Sequence, residues 1–146
     1  MRPATAPDAL PHRHVLTVPT GPGAVRVARE TAERALAEWG IDEHHPAVGP
    51  ALPVLGELVA DSVRHAAALS PQTTALHAAG PDCLAPAVHD RHPHRPALTG
   101  PHATGPGGPA TVLELTHAAG GTVVVRGDAD GPGKSVRGTL PLRTGP

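Results

Sequence analysis

Two carboxylate side chains stand four residues apart in a segment with the pattern of a helix. Glu57 and Asp61 belong to the sequence LGELVADSVRHA. Residues four apart project from the same face of an α-helix, so both carboxylates could serve a metal ion. Without further context, the pair is better explained as an ordinary solvated helix face beside Arg64.

Two more residues close to this segment could take part in chemistry. His65 follows Asp61 by four residues, and it could also be an ordinary half-buried residue favoured by the dipole at the end of a helix. Asp90 follows an apolar segment at the mouth of a long loop. It could line a binding site, or it could form a turn beside His89 and Arg91.

Two other patterns do not predict sites. The segment GDADGPGKS looks like a phosphate-binding loop, but the spacing from Gly127 to Lys134 is one residue too long and no helix follows Ser135. We interpret it as a turn between strands. A Pro-rich loop is poorly suited to fixing tetrahedral geometry, so we interpret four histidines as solvated loop residues rather than metal ligands: His89, His92, His94 and His102.

Hydrophobic periodicity predicts the elements that would position the candidate residues. In order, these are a strand at 14–19, helices at 22–39 and 53–69, strands at 73–78 and 84–89, a short helix at 110–118, and strands at 121–127 and 135–142. The second helix is expected to begin only at Pro53, because proline is tolerated in a first turn. Pro86 favours an edge or a bulge for its strand, and the run Val123 to Val125 favours a buried strand.

This order of elements predicts an α/β fold. Helices separated by hairpins indicate a two-layer sandwich, with a mixed and mostly antiparallel sheet and helices on one face. The length of 146 residues suits one domain. We expect residues 1–13 to be a disordered N-terminal segment and residues 14–146 to be a single domain with a long loop at 91–109.

Composition narrows the classes of function. The chain has 19 Pro, 17 Gly, no Phe and no Tyr, so its core must be built from Val, Leu and Ala with Trp39. The formal net charge is −1 and no Lys/Arg run is present, which argues against nucleic acid and membrane partners. No signal peptide or bilayer-spanning run is evident, so we expect a cytoplasmic protein. The single cysteine excludes an internal disulfide and a thiolate zinc site.

The order of these features resembles the GHKL ATPases, which have the Bergerat fold, in the form found in anti-sigma-factor serine/threonine kinases. LGELVADSVRHA resembles their N box, E-L-V-x-N-A-x-x-H-A, where Glu57 and His65 match and Asp61 replaces the asparagine. AVHDRHPHRP resembles the V-x-D-x-S-x-x-P adenine box, and GPGKSVRGTLPL resembles the terminal G-G-K-T-x-x-x-x-L-P-L strand. The likeness extends along nearly the whole chain.

The resemblance implies a site for ATP and Mg²⁺. Glu57 would be the general base, Asp61 the Mg²⁺ ligand and Asp90 the residue that binds adenine. His65 would belong to the nucleotide site, as would three glycines of the phosphate lid: Gly105, Gly107 and Gly108. Two departures from the family patterns predict weaker ATP binding. Asp61 adds negative charge beside phosphates, and the glycine pattern of the lid is broken after Gly108 by a proline and an alanine.

The function implied by the resemblance is that of an ATP-binding regulatory protein. Such a protein phosphorylates a protein antagonist, sequesters a sigma factor, or does both, and its partners would be those proteins, with a homodimer left open. The alternative is a catalytically inactive GHKL-fold module that binds a protein and has a degenerate nucleotide site. A decaying paralogue that folds poorly is a third hypothesis.

Overall fold

Five antiparallel strands and three helices make up the part of the chain that the computed structural model describes, residues 10–95 and 109–142. The elements are β1 (His12–Pro19), α1 (Ala24–Glu38), α2 (Val48–His65), β2 (Gln72–Ala79), β3 (Cys83–Asp90), α3 (Pro109–Ala118), β4 (Thr122–Gly127) and β5 (Lys134–Pro141). The strand order is β1-β2-β3-β5-β4, and each neighbouring pair is antiparallel.

The helices cover one face of this sheet. Along β5 every second residue is buried, beginning with Lys134 and including Val136 and Leu140, whereas the residues between them are half-exposed. Because successive side chains of a strand point to opposite faces, this alternation marks one covered face. Helix α2 packs against α1, α3 and β3. The predicted two-layer α/β sandwich is therefore confirmed, and its sheet is antiparallel between all neighbouring strands.

Small residues build the contact between the helices and the sheet. Helix α1 buries alanines at 28, 32 and 35, as its amphipathic pattern predicts, and it ends where Gly40 adopts a positive φ of 72°. Val54, Leu55 and Val59 of α2 are almost completely buried, in the same core cluster as Ala28 and Ala32 of α1. Without phenylalanine or tyrosine, close approach of small residues supplies the packing.

Helix α2 begins at Val48, so the predicted start at Pro53 is wrong. Pro53 lies inside the helix and lacks the N–H that would donate to the carbonyl of Gly49. Val48 and Ala51 in the added turn are buried in a core cluster with Leu84 and other residues. Burying these apolar side chains offsets the lost hydrogen bond.

The predicted edge or bulge at Pro86 is also wrong, because β3 is the central strand and its register with both neighbouring strands is the same before and after Pro86. Pro86 pairs with His77 of β2. On the β5 side the pairing runs through Leu84 and Ala87 but omits the two residues between them. A proline fits the centre of this sheet because the ladder on one side is interrupted where its N–H would be needed.

Strand β4 is an edge strand, and this corrects the prediction that Val123 to Val125 form a buried strand. Its residues are exposed or half-exposed throughout, and Val124 is 37% exposed. The segment between Gly127 and Lys134 joins β4 to β5, as the interpretation of GDADGPGKS as a turn predicted. The two strands pair in register over their full shared length.

The ends of the predicted domain lie partly outside the described residues. Strand β1 begins at His12, two residues before the predicted domain boundary at 14. Residues 1–9 of the expected N-terminal segment and residues 96–108 of the expected loop at 91–109 fall outside. In the described part of the chain, no helix has the length and hydrophobicity to cross a bilayer.

Candidate functional site

Helix α2 holds Glu57 and Asp61 in a largely buried position. The side chain of Glu57 is 23% exposed and that of Asp61 is 10% exposed, which is unusual for carboxylates. One oxygen of each, Glu57 Oε2 and Asp61 Oδ1, has no hydrogen-bond partner among the described residues. Two acidic oxygens have therefore lost their water without gaining a donor from the described chain, a situation that costs free energy.

Arg64 only partly compensates these two carboxylates. Its Nη2 lies 3.8 Å from Glu57 Oε2 and 3.8 Å from Asp61 Oδ1, beyond the range of a hydrogen bond. Burial raises the pKa of Glu57 above its ordinary value, and the charge of Asp61 raises it further, whereas Arg64 opposes both effects. The raised pKa means that the ionised form of Glu57 is poorly stabilised where it lies.

Asp90 lies at the end of β3, and its carboxylate is held by three donors. Its side chain is 1% exposed. Ser62 Oγ of α2 donates to Oδ2 at 2.7 Å, and Lys134 Nζ of β5 donates to Oδ1 at 2.5 Å. The backbone N–H of His92 also donates to Oδ1, at 3.0 Å. Asp90 thus connects α2, β5 and the segment after β3 in one buried network.

Lys134 of β5 also links Asp90 to the segment after β3. Its side chain is 5% exposed, and Nζ donates a second hydrogen bond to the carbonyl oxygen of His92 at 3.1 Å. The bond from Ser62, which follows Asp61 in α2, joins this helix to Asp90. The three predicted acidic residues therefore lie on adjoining elements.

The structure also brings together Asp61, His65 and His94. Each residue offers one atom that could be a metal ligand, and these three atoms lie within 4.8 Å of one another. The rings of His65 and His94 are 4.3 Å apart between centroids. Burial lowers the pKa of His94, and the neighbouring charge of His65 lowers it further, against the opposing effect of Asp61.

Sequence reasoning did not group His94 with this face. The residue belongs to a Pro-rich segment after β3, and no local pattern indicates that the segment returns to α2. The three predicted lid glycines lie outside the described residues: Gly105, Gly107 and Gly108. Their roles stay predictions.

Comparison with solved structures identifies similar folds. No family model matches the sequence, and no curated protein matches it. Among solved structures, that of the RsbU and RsbW domains of Rv1364c from Mycobacterium tuberculosis is similar, with a TM-score of 0.61 and 20% identity over 90% of this chain. The histidine kinase domain of the EL346 blue-light activated histidine kinase from Erythrobacter litoralis is also similar, with a TM-score of 0.52 and 15% identity over 86% of this chain.

The chain has a GHKL-like fold. The resemblance predicted from the sequence is confirmed at this level. The chain spans 33% of the first of these structures and 62% of the second, so each contains much that this chain does not match. Identities this low support the fold and leave activity and partners to be proposed from the site.

Proposed function

We propose that this chain is an ATP-binding regulatory protein of the anti-sigma-factor kinase type, which phosphorylates a protein antagonist, sequesters a sigma factor, or does both. The carrying observation is the acidic face of α2, where Glu57 Oε2 and Asp61 Oδ1 are buried without hydrogen-bond partners in the described chain. The structural likeness to a protein with an RsbW domain, an anti-sigma-factor kinase domain, supports this proposal.

The α2 face fits a divalent cation. Carboxylate oxygens without hydrogen-bond donors are costly in a buried position, and Mg²⁺ prefers oxygen ligands of this kind. Asp61 would hold the ion, which supplies positive charge to the phosphate groups of a nucleotide when both are bound. Glu57 would accept the proton of the attacking hydroxyl, a role for which a pKa above the ordinary carboxyl value is suited.

The adenine end of the site fits less well. An ionised carboxylate offers about four positions for donors, and Asp90 already receives three. The adenine amino group would have to take the fourth position, on the Oδ2 that Ser62 already contacts, and that side chain is 1% exposed. Adenine binding at Asp90 therefore requires this region to open.

Mg-ATP titration of the full chain tests the proposal. A ligand that binds only the native state must stabilise it, by about 2.7 kcal/mol at one hundred times its dissociation constant. We expect a concentration-dependent rise in melting temperature that requires Mg²⁺, with transfer of the γ-phosphoryl group to a protein antagonist as the second measurement. No stabilisation at millimolar Mg-ATP would overturn the nucleotide-binding proposal.

The variant Asp61→Asn sharpens this test. It removes a negative charge beside the phosphates and supplies an amide in its place, so ATP should bind more tightly. Asp130→Asn is a matched control, because Asp130 is exposed in the turn between β4 and β5. Tighter ATP binding by the first variant alone supports the site on α2, and equal effects of both would argue against it.

A second candidate is a protein-binding module with a degenerate nucleotide site. The observation that favours it is that three donors already occupy the buried carboxylate of Asp90: Ser62 Oγ, Lys134 Nζ and the N–H of His92. In this case Asp61→Asn changes nothing in ATP titrations. Binding of a sigma factor or of an antagonist protein would then be independent of added nucleotide.

A further inference from the structure

Three potential metal ligands converge between α2 and the segment that follows β3. Asp61 and His65 are four residues apart on α2, so they occupy the same helix face. His94 reaches them from the other element, and the three donor atoms lie within 4.8 Å of one another. Two imidazole nitrogens and one carboxylate oxygen are a ligand set that proteins use for zinc.

Direct hydrogen bonds do not explain this convergence. Asp61 Oδ1 and His65 Nε2 are 3.7 Å apart, which is too far for a hydrogen bond. Asp61 Oδ1 has no hydrogen-bond partner in the described residues, although the side chain is nine-tenths buried. The oxygen is therefore aimed at its neighbours without bonding to them.

The segment that carries His94 is fixed by hydrogen bonds. The backbone N–H of His94 donates to Nδ1 of His92 at 2.9 Å. His92 is itself held at both backbone groups, since its N–H donates to Asp90 and its carbonyl accepts from Lys134. The buried ion pair of Asp90 and Lys134 thus anchors the segment and removes the objection that a Pro-rich loop cannot position a metal ligand.

We infer that Asp61, His65 and His94 form a site for a transition-metal ion, best matched by Zn²⁺, that is loaded without nucleotide. Two donors on one tetrahedral zinc ion lie about 3.3 Å apart, because Zn–N and Zn–O bonds are ~2.0–2.1 Å long. The three ligand atoms of this chain lie within 4.8 Å of one another, so small side-chain rotations would bring them to this spacing. Mg²⁺ fits this set poorly because it prefers oxygen ligands in octahedral geometry. Three protein ligands leave one position for water or an exchangeable ligand.

This inference does not depend on the proposed function. Zinc binding needs only the three side chains, whereas the proposed ATP site needs Mg²⁺ and the nucleotide. The two proposals share Asp61, so bound Zn²⁺ would compete with a nucleotide-bound Mg²⁺ for that carboxylate. Asp61→Asn separates them, because it should strengthen ATP binding and weaken zinc binding.

Competition between the full chain and a chromophoric zinc chelator, with no nucleotide added, tests the site. We expect one Zn²⁺ per chain and a loss of affinity of about 100-fold or more in His94→Ala, since even residues that only support metal ligands contribute 10- to 100-fold. Asp61→Asn should also bind more weakly. His44→Ala is the matched control, because the side chain of His44 is 85% exposed and lies outside the cluster.

Three results would overturn the inference. They are no saturable binding at zinc concentrations on the order of 100 µM, wild-type affinity in His94→Ala, or an equal loss in the His44 control, which would mark dispersed surface histidines as the ligands. His94 lies outside the helices and strands, so its substitution should leave the fold intact. Circular dichroism of each variant checks this, and His65→Ala provides a second ligand variant.

Discussion

Lowering the pH from about 7 to about 5 should destabilise this protein through one residue, His77. Its side chain is buried beneath the helices, with 2% of the residue exposed. Neither ring nitrogen has a hydrogen-bond partner among the described residues, and the nearby aromatic ring of Trp39 is 6.0 Å away between centroids. Burial, followed by the charge of His14, lowers the pKa of His77 from 6.5 to about 4.

The size of the effect follows from these two pKa values. The unfolded chain takes up the proton near pH 6.5, whereas the folded chain resists it until about pH 4. Between these values the unfolded state binds more protons, so stability falls as the pH falls. At about 1.4 kcal/mol for each tenfold change in proton affinity, the full loss is about 3 kcal/mol, and about 2 kcal/mol of it is reached by pH ~5.

Urea denaturation at both pH values measures this loss. The variant His77→Leu removes the titrating ring and keeps an apolar side chain of similar size, so its stability should change about 2 kcal/mol less than that of the parent protein between the two conditions. His44→Leu removes an exposed imidazole and should behave like the parent. If His77→Leu loses as much stability on acidification as the parent, the argument from burial is refuted.

Four further substitutions probe the fold. Lys134→Met leaves the buried carboxylate of its ion pair without a cation and should lower the free energy of unfolding by about 3–5 kcal/mol in urea denaturation. Gly121→Ala places a Cβ against the carbonyl oxygen of Thr139 and should cost roughly 1–3 kcal/mol, whereas Gly49→Ala in α2 meets no atom within 4 Å and should stabilise slightly. Burial penalises the ionised form of Glu57, so the parent protein should lose stability as the pH rises above the ordinary carboxyl pKa of 4.5. Glu57→Gln should not show this loss and should therefore become more stable than the parent at higher pH. Stability curves of both proteins against pH check the direction.

Local sequence patterns predicted most of the elements because their physical causes are local. The apolar stripe of α1 and the hairpin of β2 and β3 depend on residues a few positions apart. The start of α2 could not be predicted in this way, since Val48 and Ala51 are helical because they are buried against distant residues such as Leu84. The central place of Pro86 likewise depends on where β5 returns to the sheet.

The candidate site could also be predicted only where its geometry depends on nearby residues. Helical spacing was sufficient to place Glu57 and Asp61 on one face. It could not reveal that Lys134 forms a buried ion pair with Asp90, because the two residues are 44 positions apart and meet only across paired strands. The approach of His94 to the helix is equally non-local.

The aspartate at position 61 links the two proposals physically. Where the resemblance expects a neutral asparagine, Asp61 brings a negative charge that repels phosphates and attracts a free cation. The same carboxylate is 90% buried, and the donor atoms of His65 and His94 lie nearby. The presence of aspartate in place of asparagine therefore weakens the case for a tightly bound nucleotide and strengthens the case for an ion held by the protein alone. Because Asp61→Asn shifts the two affinities in opposite directions, one variant measured with both ligands decides which role this carboxylate serves.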